Sequence, residues 1–186
     1  MKNVKHEELK TEHLVLRKVR TNDAEAFFRF AGSEKVTKYM FWKPHKDVSD
    51  SVASIAKTVS LYEAGNCWRW GIALGETDEL IGIIDLLGIR EEDRSCTFAY
   101  MLAEEFWGRG YATEALTAVL GFAFGRLGLE TVWAEHFGPN GASGAVMRKA
   151  GMEHTGVEIG KYEKNGEIFD VPQYRITKKT WGNNIS

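Results

Sequence analysis

The sequence predicts a mixed α/β domain, and three observations carry the prediction. Apolar segments between Trp68 and Leu102 read as consecutive strands with short turns. The period then changes, and Ala112, Ala115, Leu116, Val119, Leu120, Ala123 and Leu127 form the apolar stripe of a long helix closed by Gly128. Asn165-Gly166, the strongest short-range hairpin signal, joins two final strands. A chain of 186 residues fits a single domain, 1–186, large enough to fold without disulfide or metal staples.

In chain order, Leu14, Val15, Leu16 and Val19 predict a first strand ending near Arg20. Asn22 and Glu25 are spaced as a capping box for a helix over 23–31 with Phe27, Phe28 and Phe30 on its apolar side. A second helix starts after Asp47, with Val48, Val52, Ile55, Ala56, Val59 and Tyr62 at helical spacing, and stops at Gly65. Between them, the stretch 36–45 holds Tyr39, Met40, Phe41 and Trp42, which suit either a cleft wall or packing between the helices. Strands over 68–74, 80–89 and 96–102 follow, with a turn at 75–78 and candidate bulges at Gly82 and Gly88. After the long helix come a strand over 131–137 and a short helix over 141–150 with Gly151 as C-cap.

Composition excludes several classes. Apolar residues are 44% and charged residues 27%, which rules out disordered, collagen-like and coiled-coil chains. Lys plus Arg number 24 against 26 Asp plus Glu, so no positive excess exists for dedicated nucleic-acid binding. Cys67 and Cys96 are the only cysteines, lack metal-ligand spacing, and read as small apolar residues, so no metal is expected. The polar first ten residues lack a signal-peptide apolar core, and no run spans a bilayer. The expectation is a reduced, cytoplasmic protein away from membranes.

The informative segment is Trp107-Gly108-Arg109-Gly110-Tyr111-Ala112-Thr113-Glu114-Ala115, where a strand meets the long helix. Glycines there admit close backbone approach, and first-turn N–H groups with the helix dipole favour an anion. The spacing fits a pyrophosphate cradle or a plain glycine-rich turn. It is neither a Walker loop nor G-x-G-x-x-G.

This run resembles the acetyl-CoA site of GNAT N-acetyltransferases, and more narrowly the RimJ/RimL-like branch that modifies ribosomal-protein N-termini. That branch carries Trp-Gly-Lys/Arg-Gly-Tyr-Ala-Thr-Glu-Ala, then Asn-x-x-Ser and Lys-x-Gly, matched here by Asn140, Ser143, Lys149 and Gly151. Met152 replaces the family's usual Phe. The order of elements agrees over about 9–181. The resemblance implies a central mixed, mostly antiparallel sheet of about seven strands with about four flanking helices, two strands splaying apart to admit the coenzyme. Pantetheine would pair with the backbone of Tyr100, Met101 and Leu102. Pyrophosphate would lie on Gly108, Arg109, Gly110, Tyr111, Ala112 and Thr113, with Asn140 and Ser143 near the sulfur.

For the chemistry, an amine must reach the thioester neutral and the thiol must leave. Glu135 is the first candidate base, placed by resemblance on the strand bordering the cleft; a structural ion pair is the competing role. Asp85, in an apolar run, is the second candidate, and such an acid needs a partner to stay ionised. His136 alternates with Glu135 and should face the other side. Glu114 suits the helix dipole as a structural acid. Asn140 can cap the short helix, and Ser143 can hydrogen-bond the leaving sulfur. The tyrosine that other GNAT enzymes place seven residues after this asparagine is Met147 here. The expected reaction is acetyl transfer from acetyl-CoA to a primary amine, first of all a protein N-terminus. A small-molecule amine or a non-catalytic acyl-CoA-binding role are the alternatives, and a homodimer is left open.

Overall fold

A computed structural model describes residues 4–65 and 67–184. Strands β1 (Leu9–Lys10) and β2 (Leu14–Arg17) precede helices α1 (Ala24–Ala31), α2 (Glu34–Thr37) and α3 (Val48–Glu63). Then come β3 (Trp68–Leu74), β4 (Leu80–Arg90), β5 (Ser95–Leu102), α4 (Tyr111–Gly125), β6 (Thr131–Glu135), α5 (Gly141–Lys149), β7 (Glu153–Lys164), β8 (Glu167–Thr177) and α6 (Lys178–Asn184). All eight strands form one open sheet in the order β1-β2-β3-β4-β5-β6-β8-β7, antiparallel except for the β5–β6 pair. No helix among the described residues is long and apolar enough to cross a membrane.

The expected elements are present, with differences that have local causes. The two-residue β1 and the short α2 and α6 raise the totals to eight strands and six helices. Strand β2 ends at Arg17 rather than near Arg20, because the Arg17 guanidinium turns inward onto Asp23 (2.9 and 3.0 Å). Asp23 in turn accepts the Arg20 N–H at 2.7 Å, so the entry to α1 is fixed there and not by an Asn22–Glu25 box. Gly88 (φ +57°) lies in the register shift between Leu87 and Arg90, as expected of a bulge. The shift beside Gly82 falls between its partner Ile72 and Ala73, which pairs with Leu80. A β-carbon on Gly82 would collide with the Met101 carbonyl oxygen, so close strand approach explains that glycine.

The sheet divides two cores. One face packs β2–β6 and β8 against α4 and α5 through residues such as Trp70, Ile84, Phe98, Leu116, Leu120, Ala134 and Met147. The other packs Ile83 and Met101 against Phe27 and Phe30 of α1, Val36 of α2 and Ile55 of α3. Side chains alternate along a strand. Asp85, two residues after Ile83, therefore faces the α1–α3 side, as does Glu135, next to Ala134 of the opposite core.

Candidate active site

The site begins as an interruption of the sheet. Parallel pairing of β5 with β6 covers only Ser95–Thr97 against Thr131–Trp133. Beyond Thr97, β5 stays paired with β4, while β6 runs to Glu135 paired with β8. A wedge-shaped gap opens between them, with its apex at Thr97. Backbone groups point to alternate sides along an antiparallel pair. Ala103 N–H bonds back to Ile81 on β4, and the Met101 carbonyl abuts Gly82. The gap edge is thus formed by Tyr100 and Leu102, whereas Met101, expected beside them, turns its backbone toward β4. The Leu102 carbonyl already accepts the Trp107 indole N–H at 2.7 Å.

Past β5, Gly108 (φ +74°) and Gly110 (φ +86°) take left-handed conformations, and open space surrounds the positions their β-carbons would occupy. No side chain caps α4. Its first helical bond runs from Glu114 N–H to the Gly110 carbonyl (3.0 Å). The N–H groups of Tyr111, Ala112 and Thr113 are left facing outward, where the helix dipole favours a phosphate. Glu114 stays out of this cradle. Its carboxylate accepts from the Thr11 hydroxyl (2.6 Å) and the His13 N–H (2.8 Å), tying α4 to the β1–β2 turn. Burial pushes its pKa up, but these bonds outweigh burial and hold it below the usual range. Arg109 lies 5.4 Å over the Phe106 ring, an exposed cation at the cradle's rim.

On the α4–α5 side of the gap, three polar groups converge. The Asn140 carbonyl oxygen caps α5 by accepting Ser143 N–H (3.4 Å), and its amide donates to Ser143 Oγ at 3.0 Å. Tyr100 Oη lies 3.2 Å from the same oxygen. Either hydroxyl can be the donor in that pair. With the Tyr100 O–H donating, both Ser143 lone pairs are filled and its one hydrogen is free for a third group. Burial raises the Tyr100 pKa, which keeps that donor protonated. Sequence reading places only the Tyr100 backbone here; its side chain joins Ser143 across 43 positions, with no local signal. Met147 is buried in the core and carries no proton.

The α1–α3 side is different. Glu135 accepts from Lys161 Nζ (2.7 Å), Gln173 Nε2 (2.9 Å) and the Tyr162 hydroxyl. Burial pushes its carboxyl up, but these three partners outweigh burial and hold it below the ordinary range. Tyr162 is pushed up to about 12 by burial and by Glu135. Asp85 is gripped at both oxygens by Arg69 (2.7 and 2.9 Å), which also donates to Thr58 (3.0 Å). These partners come from β3, α3 and the final hairpin, and no motif announces them. Above Glu135, Phe41 packs edge-on to Tyr162 (4.5 Å) and Phe137 lies 5.2 Å from Phe169. The Lys164 ammonium donates to the carbonyls of Thr37, Lys38 and Met40 at 2.6–3.0 Å, tying the hairpin to the aromatic stretch. His136 is buried, hydrogen-bonded at Nδ1 to the Phe137 carbonyl (2.8 Å), with its ring beside Tyr174.

Among the described residues no group of three His, Cys, Asp or Glu can hold a metal. The model of the acetyltransferase (GNAT) domain family matches residues 13–153. The chain is 31% identical over 170 residues to the uncharacterized N-acetyltransferase YoaA of Bacillus subtilis, covering 91% of this chain and 96% of that one. It is 24% identical to the [ribosomal protein uS5]-alanine N-acetyltransferase of Escherichia coli, covering 96% and 95%. Its fold matches a Vibrio cholerae spermidine N-acetyltransferase solved with CoA and spermine, with a TM-score of 0.80, 20% identity, and 93% and 100% of the two chains covered. A split sheet, a glycine cradle at an uncapped helix and these matches agree: the chain belongs to the GNAT family, on its RimJ/RimL-like side, and is an acetyl-CoA-dependent N-acetyltransferase.

Proposed function

We propose that the acceptor is an α-amine, first of all that of a protein N-terminus, and that Glu135 and Ser143 serve opposite faces of the gap. The observation that carries this is the state of Glu135. Its three hydrogen-bond donors hold it as a weak base. An α-ammonium with a pKa near 7.8 loses its proton at about pH 7.4 for about 0.5 kcal/mol, whereas a lysine near 10.4 needs about 4 kcal/mol. A weak base acting through water suffices only for the first. The kinship to an enzyme named for an alanine of ribosomal protein uS5 supports the same reading.

Acetyl-CoA is consumed in the reaction and is therefore a substrate. The gap-side backbone of Tyr100 and Leu102 and the N–H groups of Tyr111, Ala112 and Thr113 fit its chain and pyrophosphate. Glu135 takes a proton from the ammonium through water. The amine lone pair attacks the thioester carbonyl carbon, the C–S bond breaks, and its electron pair goes to sulfur. The free Ser143 hydrogen meets the developing thiolate, while the Tyr100 O–H and Asn140 amide hold the serine oriented. Transfer is complete when the nitrogen loses its remaining extra proton to water.

Glu135→Gln tests the reading. Because Glu135 is held below its ordinary pKa, it is ionised throughout neutral pH, and the rise of wild-type kcat/KM with pH follows the acceptor amine. The variant is expected to lose about 10-fold at neutral pH and to converge on wild type above about pH 8, where the α-amine is already neutral. Convergence only near about pH 10 identifies a lysine-like acceptor. Parallel profiles without loss remove Glu135 as the base.

A further inference from the structure

We propose that a cavity beside Asp85 receives the non-reacting end of the acceptor, and that this end is apolar and negatively charged. The proposal deepens the acetyl-transfer reading and rests on it for where the amine lies. The cavity lies between α3 and the sheet, with a volume of about 590 Å³, within the range of small-ligand sites. Its position suits an acceptor. Asp85, Leu86 and Leu87 on its floor pair with Ala99, Phe98 and Thr97, so it lies one strand, about 4.8 Å, from the apex of the gap. It opens on the face that Glu135 shares. The other approach, over Glu135, is roofed by Phe41 and tied down by Lys164.

Its lining sets the ligand chemistry. Trp42, Leu61 and Leu87 all border it, yet remain 37%, 38% and 47% exposed. Apolar side chains left uncovered around one concavity mark a surface made to be covered. Lys43, Lys57 and Arg69 bring three positive charges and Asp85 one negative charge, a balance of +2. Asp85 is already spent on Arg69, whose guanidinium uses three of its five N–H donors on Asp85 and Thr58. Lys43 and Lys57 form no ion pair among the described residues. Such a cavity attracts a carboxylate carried on an apolar body and repels a polyamine.

The test uses the full chain and three peptide amides, Ala-Phe-Glu, Ala-Phe-Gln and Ala-Phe-Lys, with spermidine beside them. With saturating acetyl-CoA, kcat/KM is expected to fall in that order, the Glu peptide leading the Lys peptide at least 10-fold and spermidine ranking last. The double variant Lys43→Glu/Lys57→Glu, changed only at exposed side chains, should invert the Glu-to-Lys ratio and keep the affinity for acetyl-CoA. Calorimetry of the same peptides with the CoA-saturated protein should show the same order of affinity, Kd rising from the Glu to the Lys peptide. A flat series, an order untouched by the double variant, or spermidine as the best acceptor overturns the proposal. If acetyl transfer proceeds with a flat series, the cavity assignment falls while the reaction stands. If no amine is acetylated but the Kd order and its inversion hold, the acetyl-transfer reading falls while the cavity assignment stands.

Discussion

On the α4–α5 side, the gap is lined by backbone: the free edge of β5, two left-handed glycines and the unpaired N–H groups of α4. Asn140, Ser143 and the Tyr100 hydroxyl add polar side chains there, with Arg109 at the rim. On the α1–α3 side, long-range side-chain contacts do the work: Glu135 with Lys161 and Gln173, Asp85 with Arg69, and Lys164 with the carbonyls of Thr37, Lys38 and Met40. The first side is specified by short sequence runs and presents one constant geometry. The second depends on charges brought together from β3, α3 and the last hairpin.

The comparison breaks most visibly at Asp85. Asp85→Asn leaves the Arg69 charge without its partner under α3, where only a quarter of that side chain reaches solvent. The expected loss is about 3 kcal/mol of stability, read by urea unfolding, with acetyl-CoA affinity of the folded fraction preserved. A loss under about 1 kcal/mol would mean that this side does not depend on the pair. Gly110→Trp should do the reverse. It fills the cradle at an exposed loop and is expected to weaken acetyl-CoA binding about 100-fold, about 2.8 kcal/mol by calorimetry, with a smaller change in stability. Affinity equal to wild type would remove the cradle assignment.

Smaller effects sharpen the contrast. Ser143→Ala is expected to lower kcat about 10- to 100-fold with little change in acetyl-CoA affinity. Tyr100→Phe should cost about 10-fold or less and add nothing once Ser143 is alanine, because it acts through that hydroxyl. Additive losses would make Tyr100 independent of Ser143. The smallest effect is expected for Lys164→Ala. It frees the hairpin from the stretch 37–40 at a cost of about 1 kcal/mol and should raise the acceptor KM while kcat is nearly unchanged. A fall in kcat with KM constant would contradict a role confined to the acceptor side.

The same division explains what is legible in the sequence. The β5–α4 junction is local, so Gly108, Gly110 and the start of α4 follow from one run of residues. Asn140 caps α5 through its own side chain, and Gly151 (φ +84°) marks its end. Strand β1 leaves no signal because its two residues are defined only by pairing with Val15 and Leu16. The four-residue α2 is as hard to see because Ser33 is its main local signal, a cap at 3.4 Å. Gln173 meets Glu135 by strand register across 38 positions, and Arg69 meets Asp85 across the β3–β4 pair. Neither contact leaves a periodic trace. Backbone alternation, which turns Met101 away from the gap, follows only once the pairing with β4 is known.

The gap in the sheet also bears on how the two reactants meet. With acetyl-CoA entering from the α4–α5 side and the amine from the α1–α3 side, as proposed, it is a passage with two mouths, one on each face. The thioester and the amine approach from opposite sides and do not compete for a doorway. Either reactant can therefore dock first, and a productive encounter needs both in place together. Initial-rate plots should then show intersecting lines, a signature of a ternary complex, and the spent coenzyme can withdraw while the acetylated product still occupies its own mouth.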